Sequence, residues 1–206
     1  MAEPRRSRKR IGGVVELVMT LAVAIGAALL IQALLVKPYR IPSPSMVPTL
    51  QEGQRILVNR LSTHPDVGDV VVFHPPAGAD RAFGSQCGDP AQGPGHTRPC
   101  DEDTPRVSSQ TFVKRVVGLP GDTLRISHGD VYRNGVKETG SYIQACPDPS
   151  LCTFARAITV SRGHYYLMGD NRGISDDSRY WGPVPQAWII GTAFFSYWPP
   201  SRIGTL

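Results

Sequence analysis

The sequence predicts a mainly β domain carried behind one N-terminal transmembrane helix. Three observations lead there: an uncharged apolar run over residues 17–36, six short β-branched and aromatic runs beyond it, and no long amphipathic helical pattern in the remainder.

The apolar run has 20 residues without charge, and only Thr20 and Gln32 are distinctly polar within it. At about 1.5 Å of rise per residue, a helix of that length covers the roughly 30 Å of hydrocarbon in a bilayer. Arg5, Arg6, Arg8, Lys9 and Arg10 precede it, whereas only Lys37 and Arg40 follow at a comparable distance. The positive-inside bias then expects a cytoplasmic basic tail at 1–10, a transmembrane helix at 11–36 and an extracytoplasmic domain at 37–206. A cleaved secretory signal is the alternative, because it too sets a basic stretch before an apolar core. This run exceeds the usual core of about 7 to 15 residues, and its downstream edge, Leu34-Leu-Val-Lys-Pro38, has no small-x-small cleavage pattern. Either reading exports the rest of the chain.

Charge follows the same division. The 22 basic and 17 acidic residues sum to +5; residues 1–10 carry five positives against Glu3, or +4, which leaves +1 for the other 196. The basic excess is a topology signal, with no basic groove that would suit nucleic acid. All four cysteines, Cys87, Cys100, Cys146 and Cys152, fall on the expected outer side. An even number there favours disulfides, and proximity favours 87–100 with 146–152 among the three pairings. A four-cysteine zinc site is the rival, although neither spacing gives the close pairs typical of zinc. No metal or other cofactor is expected.

Six strands are expected over 55–60, 69–74, 111–117, 123–127, 165–168 and 188–197, each rich in Val, Ile, Phe and Tyr and bounded by Gly, Pro or Asp. Arg133-Asn-Gly-Val136 reads as a hairpin, since Asn-Gly accepts the positive φ angles of a type I′ turn. Two stretches do not read as core. Residues 75–106, dense in Gly, Pro and Asp, suggest a surface insertion tied down by a bridge or left mobile; 137–162 suggest a small inserted lobe with a loop that a disulfide closes.

Chemistry concentrates in three islands: Pro42-Ser-Pro-Ser-Met46, Phe112-Val-Lys-Arg-Val-Val-Gly-Leu-Pro-Gly-Asp122 and Met168-Gly-Asp-Asn-Arg-Gly-Ile-Ser-Asp-Asp-Ser-Arg179. Ser45 lies nine residues past position 36 (45 − 36), so an extended chain keeps it within roughly 30 Å of the membrane exit. A serine hydroxyl is a weak nucleophile and needs a base, either histidine or a lysine made neutral by burial. Strand alternation places Phe112, Lys114 and Val116 on one face and Val113, Arg115 and Val117 on the other. Among apolar neighbours a lysine loses the hydration of its charged form and can accept a proton near neutral pH. Lys114 taken alone reads better as an ordinary exposed strand lysine; only the company of the other two islands points to the base.

These islands, in this order and behind such an anchor, resemble the type I signal peptidases, membrane-anchored serine–lysine proteases that remove signal peptides from exported proteins. The resemblance covers essentially the whole chain, continuing to Asp177-Ser-Arg-Tyr-Trp-Gly-Pro-Val184. It implies a β-rich catalytic domain with Ser45 as nucleophile and Lys114 as general base. It further implies that Ser43, with the Ser45 N–H, donates to the oxyanion, and that Ser175 orients the lysine amine. Asp177 and Arg179 align with the family's supporting acidic and basic pair, and Asp170 and Arg172 of the same motif are likewise assigned structural support. The implied substrates are preproteins with small residues at −1 and −3, and the implied setting is a single-pass protein working at the outer surface of a lipid bilayer. Pro44, between the two serines, and Gly173-Ile174 are uncommon fillings of these motifs.

Other readings fare less well on the residues. A Ser-His-Asp triad would need one of His64, His74, His96, His128 or His164, none of which sits in an island. A calcium loop at 170–177 meets Arg172 where an EF-hand needs a ligand. A self-cleaving repressor shares a Ser-Lys dyad but needs no membrane span, and an anchored binding protein with an inactive site would resist serine-directed acylation.

Overall fold

The computed structural model describes residues 7–79, 87–102 and 105–206, so Arg5, Arg6 and parts of the 75–106 stretch lie outside the described residues. The chain divides into two compact units, residues 1–37 and 38–206. The first is built on helix α1 (Ser7–Leu35). Within it Gly13–Leu30 is long and apolar enough to cross a membrane by length and composition.

Among the described residues twelve strands follow: β1 (Val36–Arg40), β2 (Arg55–Asn59), β3 (Val70–Phe73), β4 (Phe112–Gly118), β5 (Thr123–Ser127), β6 (Asp130–Arg133), β7 (Val136–Lys137), β8 (Ile158–Thr159), β9 (His164–Met168), β10 (Val184–Pro185), β11 (Ile189–Trp198) and β12 (Gly204–Thr205). A four-residue helix, α2 (Ser178–Trp181), separates β9 from β10. The larger sheet runs β1-β2-β11-β3-β4-β9-β10 with β12 added to β11, and the smaller runs β7-β6-β5-β8. The fold is mainly β, as the composition and periodicity predict.

Two central strands explain where the core sits. β3 is four consecutive buried apolar residues, the pattern of a strand covered on both faces. Val70 and Val72 join a cluster with Ile41, Met46, Leu50 and Val113; Val71 and Phe73 join another with Val116, Leu167 and Trp181. β4 lies beside β3, with Lys114 opposite Val71 and Arg115 opposite Val70. Along β11, Gly191 lets β2 approach closely, since a Cβ there would lie 2.2 Å from the Asn59 carbonyl oxygen. The β6–β7 turn has φ of 52° at Asn134 and 84° at Gly135, the two positive angles a type I′ hairpin requires.

The favoured cysteine pairing is met, and two expectations about the stretches outside the core need adjustment. The 137–162 stretch is not free of core: Phe154, Ile158 and Val160 pack with Leu124, Ile126 and Val131 under the smaller sheet. The bridges are Cys87–Cys100 and Cys146–Cys152, which excludes the four-cysteine zinc site. The described part of 75–106 is anchored inward, not merely superficial. Cys100 is fully buried, its N–H donates to the Arg179 carbonyl at 3.1 Å, and its carbonyl accepts from the Tyr166 hydroxyl at 3.1 Å.

Trp181 is completely buried, with its ring centroid 5.9 Å from that of Phe73. Trp181→Ala should therefore destabilise the β domain by about 3–5 kcal/mol, read as a lowered urea midpoint; an unchanged midpoint would mean the indole is not part of the core.

Candidate active site

The first island forms a rigid turn after β1. Ser43 is extended at φ −145°, and Pro44, whose ring fixes φ, opens a single 3₁₀ turn over Pro44–Met46. The Val47 N–H closes it on the Pro44 carbonyl at 3.1 Å, and the Leu50 N–H bonds the Met46 carbonyl at 2.8 Å. Met46 is buried in the core with Ile41 and Leu50, so the serine beside it has little freedom.

Ser45 and Lys114 meet there. Lys114 Nζ lies 2.7 Å from Ser45 Oγ, within a hydrogen bond, and Ser43 Oγ lies 3.3 Å from Ser45 Oγ. Lys114 is only 4% exposed, and its amine sits 5.6 Å from the centre of the Phe112 ring. Burial lowers the Lys114 amine from 10.5 to about 8, against the opposing pull of Asp177 and Asp176. The residues Ser43, Ser45 and Lys114 line a cavity of about 360 Å³ whose walls include Ile41, Met46 and Phe112.

The third island packs behind them. Asp177 and Arg179 are almost inaccessible and form a fork, Nε to Oδ1 at 2.8 Å and Nη2 to Oδ2 at 2.9 Å. Burial opposes ionisation of Asp177, but the Arg179 charge and hydrogen bonds, with the Gly169 N–H, hold it below the usual carboxylate range. Such a pair is unlike a surface salt bridge, which contributes about 0–1 kcal/mol. Arg179 also donates to the Ser175 carbonyl at 3.1 Å. Ser175 Oγ is buried and has no hydrogen-bond partner, so Lys114 and Ser175 are not bonded to each other here.

Asp170 and Arg172 do not pair with each other. Asp170 accepts a fork from Arg115, both bonds at 2.7 Å, and a short hydrogen bond from Thr49. Arg172 donates to the Gly129 carbonyl at 2.6 Å and to Glu138 at 2.7 Å. The Asn171 N–H bonds the Ser45 carbonyl at 3.1 Å, tying the third island directly to the first. The residues missed at the sequence level are thus Thr49, Arg115, Asn171 and Glu138. For Arg115 the available signal was a second charge in an otherwise apolar strand, which demands a buried partner.

Comparison with known proteins gives the family. The family model described as "Signal peptidase, peptidase S26" matches residues 14–198. A probable signal peptidase I-1 of Synechocystis sp. is 39% identical over 189 residues, covering 90% of this chain and 83% of that protein. A signal peptidase I of Leptolyngbya laminosa is 32% identical over 209 residues, covering all of this chain and 90% of its own. A crystal structure of a signal peptidase I from Enterococcus faecalis is 25% identical, covers 62% of this chain and 95% of its own, and has a TM-score of 0.38. The chain belongs to the signal peptidase family, the peptidases that process exported preproteins.

Gly169 faces the centre of this arrangement, where a Cβ would stand 2.2 Å from Ser175 Oγ and 2.5 Å from the Ser45 carbonyl oxygen. Displacements near 1 Å at a reacting centre can cost about 10²-fold in rate. Gly169→Ala should therefore lower kcat/KM on a preprotein by about that factor; full activity in the variant would show that the turn is not under this constraint.

Proposed function

We propose that this protein is a type I signal peptidase that cleaves preproteins through a Ser45–Lys114 dyad and an acyl-enzyme. The observation that carries the reading is the 2.7 Å contact between the Ser45 hydroxyl and a buried amine that burial brings down to about 8. Near neutral pH an appreciable fraction of such an amine is unprotonated, and it can act as a base that an exposed lysine cannot.

In the proposed cycle, neutral Lys114 takes the Ser45 proton as Oγ attacks the scissile carbonyl. The oxyanion that forms is stabilised by the Ser45 N–H and the Ser43 hydroxyl, whose oxygen stands 3.3 Å from the nucleophile. The Lys114 ammonium then gives its proton to the leaving amine, and the N-terminal fragment stays esterified to Ser45. Water, deprotonated by the same lysine, hydrolyses that ester and restores the serine hydroxyl. Asp177, Arg179, Asp170 and Arg172 hold the site without reacting. Ser175 is assigned the support of the lysine amine, a bond it would complete when substrate or water reorders the site.

The substrate is read as an extended peptide with small residues at −1 and −3. β4 pairs with β9 only from Arg115 to Gly118, which leaves its Phe112–Lys114 portion without a strand neighbour on that side among the described residues, an edge suited to strand addition. The apolar walls beside Ser45 favour small side chains over large ones. The positive-inside pattern puts residues 1–10 in the cytoplasm and the domain after position 36 outside, next to the lipid. Confining enzyme and preprotein to one surface raises their effective concentration, so modest affinity for the short cleavage site suffices.

Ser45→Ala and Lys114→Ala should each abolish processing of a preprotein carrying Ala-x-Ala, with folding checked by circular dichroism. Ser43→Ala should retain the fold and lose roughly 10²–10³ in rate. Processing that survives in a folded Ser45 or Lys114 variant would contradict the dyad.

A further inference from the structure

One acidic group of the cavity has no part in the reaction as described. Asp176, between Ser175 and Asp177, contributes to the cavity wall together with Ser45 and Lys114. Its neighbour Asp177 is engaged by Arg179 and by the Gly169 N–H. The Asp176 Oδ1 is buried without a hydrogen-bond partner, and no ion pair reaches this carboxyl among the described residues. Ile41, Met46, Phe112 and Val113 around the same cavity have no donor to offer, and the donors that also line it, Ser43, Ser45, Gln110 and Lys114, make no hydrogen bond to this Oδ1. A buried acceptor left unsatisfied costs about 1–3 kcal/mol, and more when charged. A ligand that brings a donor removes that cost.

We propose that Asp176 is a specificity-determining residue, whose carboxyl recognises a basic side chain of the substrate next to the scissile bond. The proposal rests on the reading of this cavity as the peptide site and adds a substrate preference to it. An arriving ammonium or guanidinium supplies the missing donors as charge-assisted hydrogen bonds, roughly twice as strong as neutral ones. An acidic side chain at the same place is repelled.

The same contact acts on the base. Burial first, then the Asp177 carboxylate, pushes the Asp176 carboxyl up to about 7, while Lys114 and Arg179 pull the other way. Lys114 in turn feels Asp177, Asp176 and Asp170 favouring its charged form, and burial with Arg179 disfavouring it. A cationic substrate group beside Asp176 offsets that carboxylate's share. Substrates with a basic residue there leave more of Lys114 neutral.

The test uses the full-length enzyme in lipid vesicles and preproteins identical except for Lys, Ala or Glu at −2, +1 or +2, with alanine kept at −1 and −3. At one of these positions the unmodified enzyme should favour Lys over Glu by about tenfold in kcat/KM. The ratio should fall towards one in Asp176→Asn and be kept in Asp176→Glu. With the alanine substrate, the acid limb of the pH–rate profile should move to lower pH in Asp176→Asn, because a carboxylate that favours protonated Lys114 is gone. A purely structural Asp176 would lower all rates alike and leave the ratio intact. Equal rates for the three side chains at every position, or a preference that survives Asp176→Asn, overturns the assignment while leaving the peptidase reading in place. Failure of the unmodified enzyme to cleave the alanine preprotein would instead contradict that reading, and the Asp176 assignment with it.

Discussion

A lysine amine kept from water loses the hydration that stabilises its charge, and the structure is arranged around that loss at Lys114. The change from 10.5 to about 8 corresponds to roughly 3 kcal/mol lost by the charged form relative to its stability in water. That is a large fraction of the 5–15 kcal/mol by which a domain is typically stable, so the site survives only inside a frame strong enough to impose it. β4 supplies the frame's centre. It is flanked by β3 and β9 and buried at nearly every position, which leaves Lys114 4% exposed, with the cavity beside Ser45 in front of it.

Two buried forks hold the surroundings. Burial disfavours the charged form of Lys114 while Asp177 favours it, and Arg179, forked to Asp177, adds a positive charge that disfavours it. Arg115–Asp170 lies one residue from Lys114 along β4 and reaches the Ser45 turn through Thr49. Removing one partner of such a pair leaves an uncompensated charge inside, a cost of about 3–5 kcal/mol. The Arg115–Asp170 fork thus joins the second island to the third and, through Thr49, to the segment after Ser45, while the Arg179–Asp177 fork braces the third island internally. The Asn171 N–H on the Ser45 carbonyl completes the join through backbone alone.

Much of this was legible from residues, for identifiable reasons. Strands such as β3 and β11 carry long β-branched and aromatic runs, and the Asn134-Gly135 turn has chemistry that permits few conformations. The nearest-neighbour disulfides followed from loop closure over short distances. The two-residue strands β8, β10 and β12 escaped because so short a segment has no periodicity to detect. Phe154, Ile158 and Val160 were hidden among Pro, Ser and charged residues, and became core only when the smaller sheet gave them something to cover. The pairing of Asp170 with Arg115, not Arg172, is a tertiary fact; the motif places Asp170 beside Arg172 in sequence, while the sheet register places it beside Arg115 in space. Asp176 carries no local pattern at all, and its unsatisfied oxygen exists only in the folded cavity.

The most direct measurement is the pH dependence of Ser45 acylation by a serine-directed reagent, followed as the labelled fraction per unit time on the folded enzyme. The proposed base predicts a rate that rises with pH through a half-maximum near about 8 and labelling that vanishes in Ser45→Ala. A rate that is flat from about pH 6 to 9, or that reaches half-maximum only at the ordinary lysine value near 10.5, would contradict a buried, neutral Lys114 as the base.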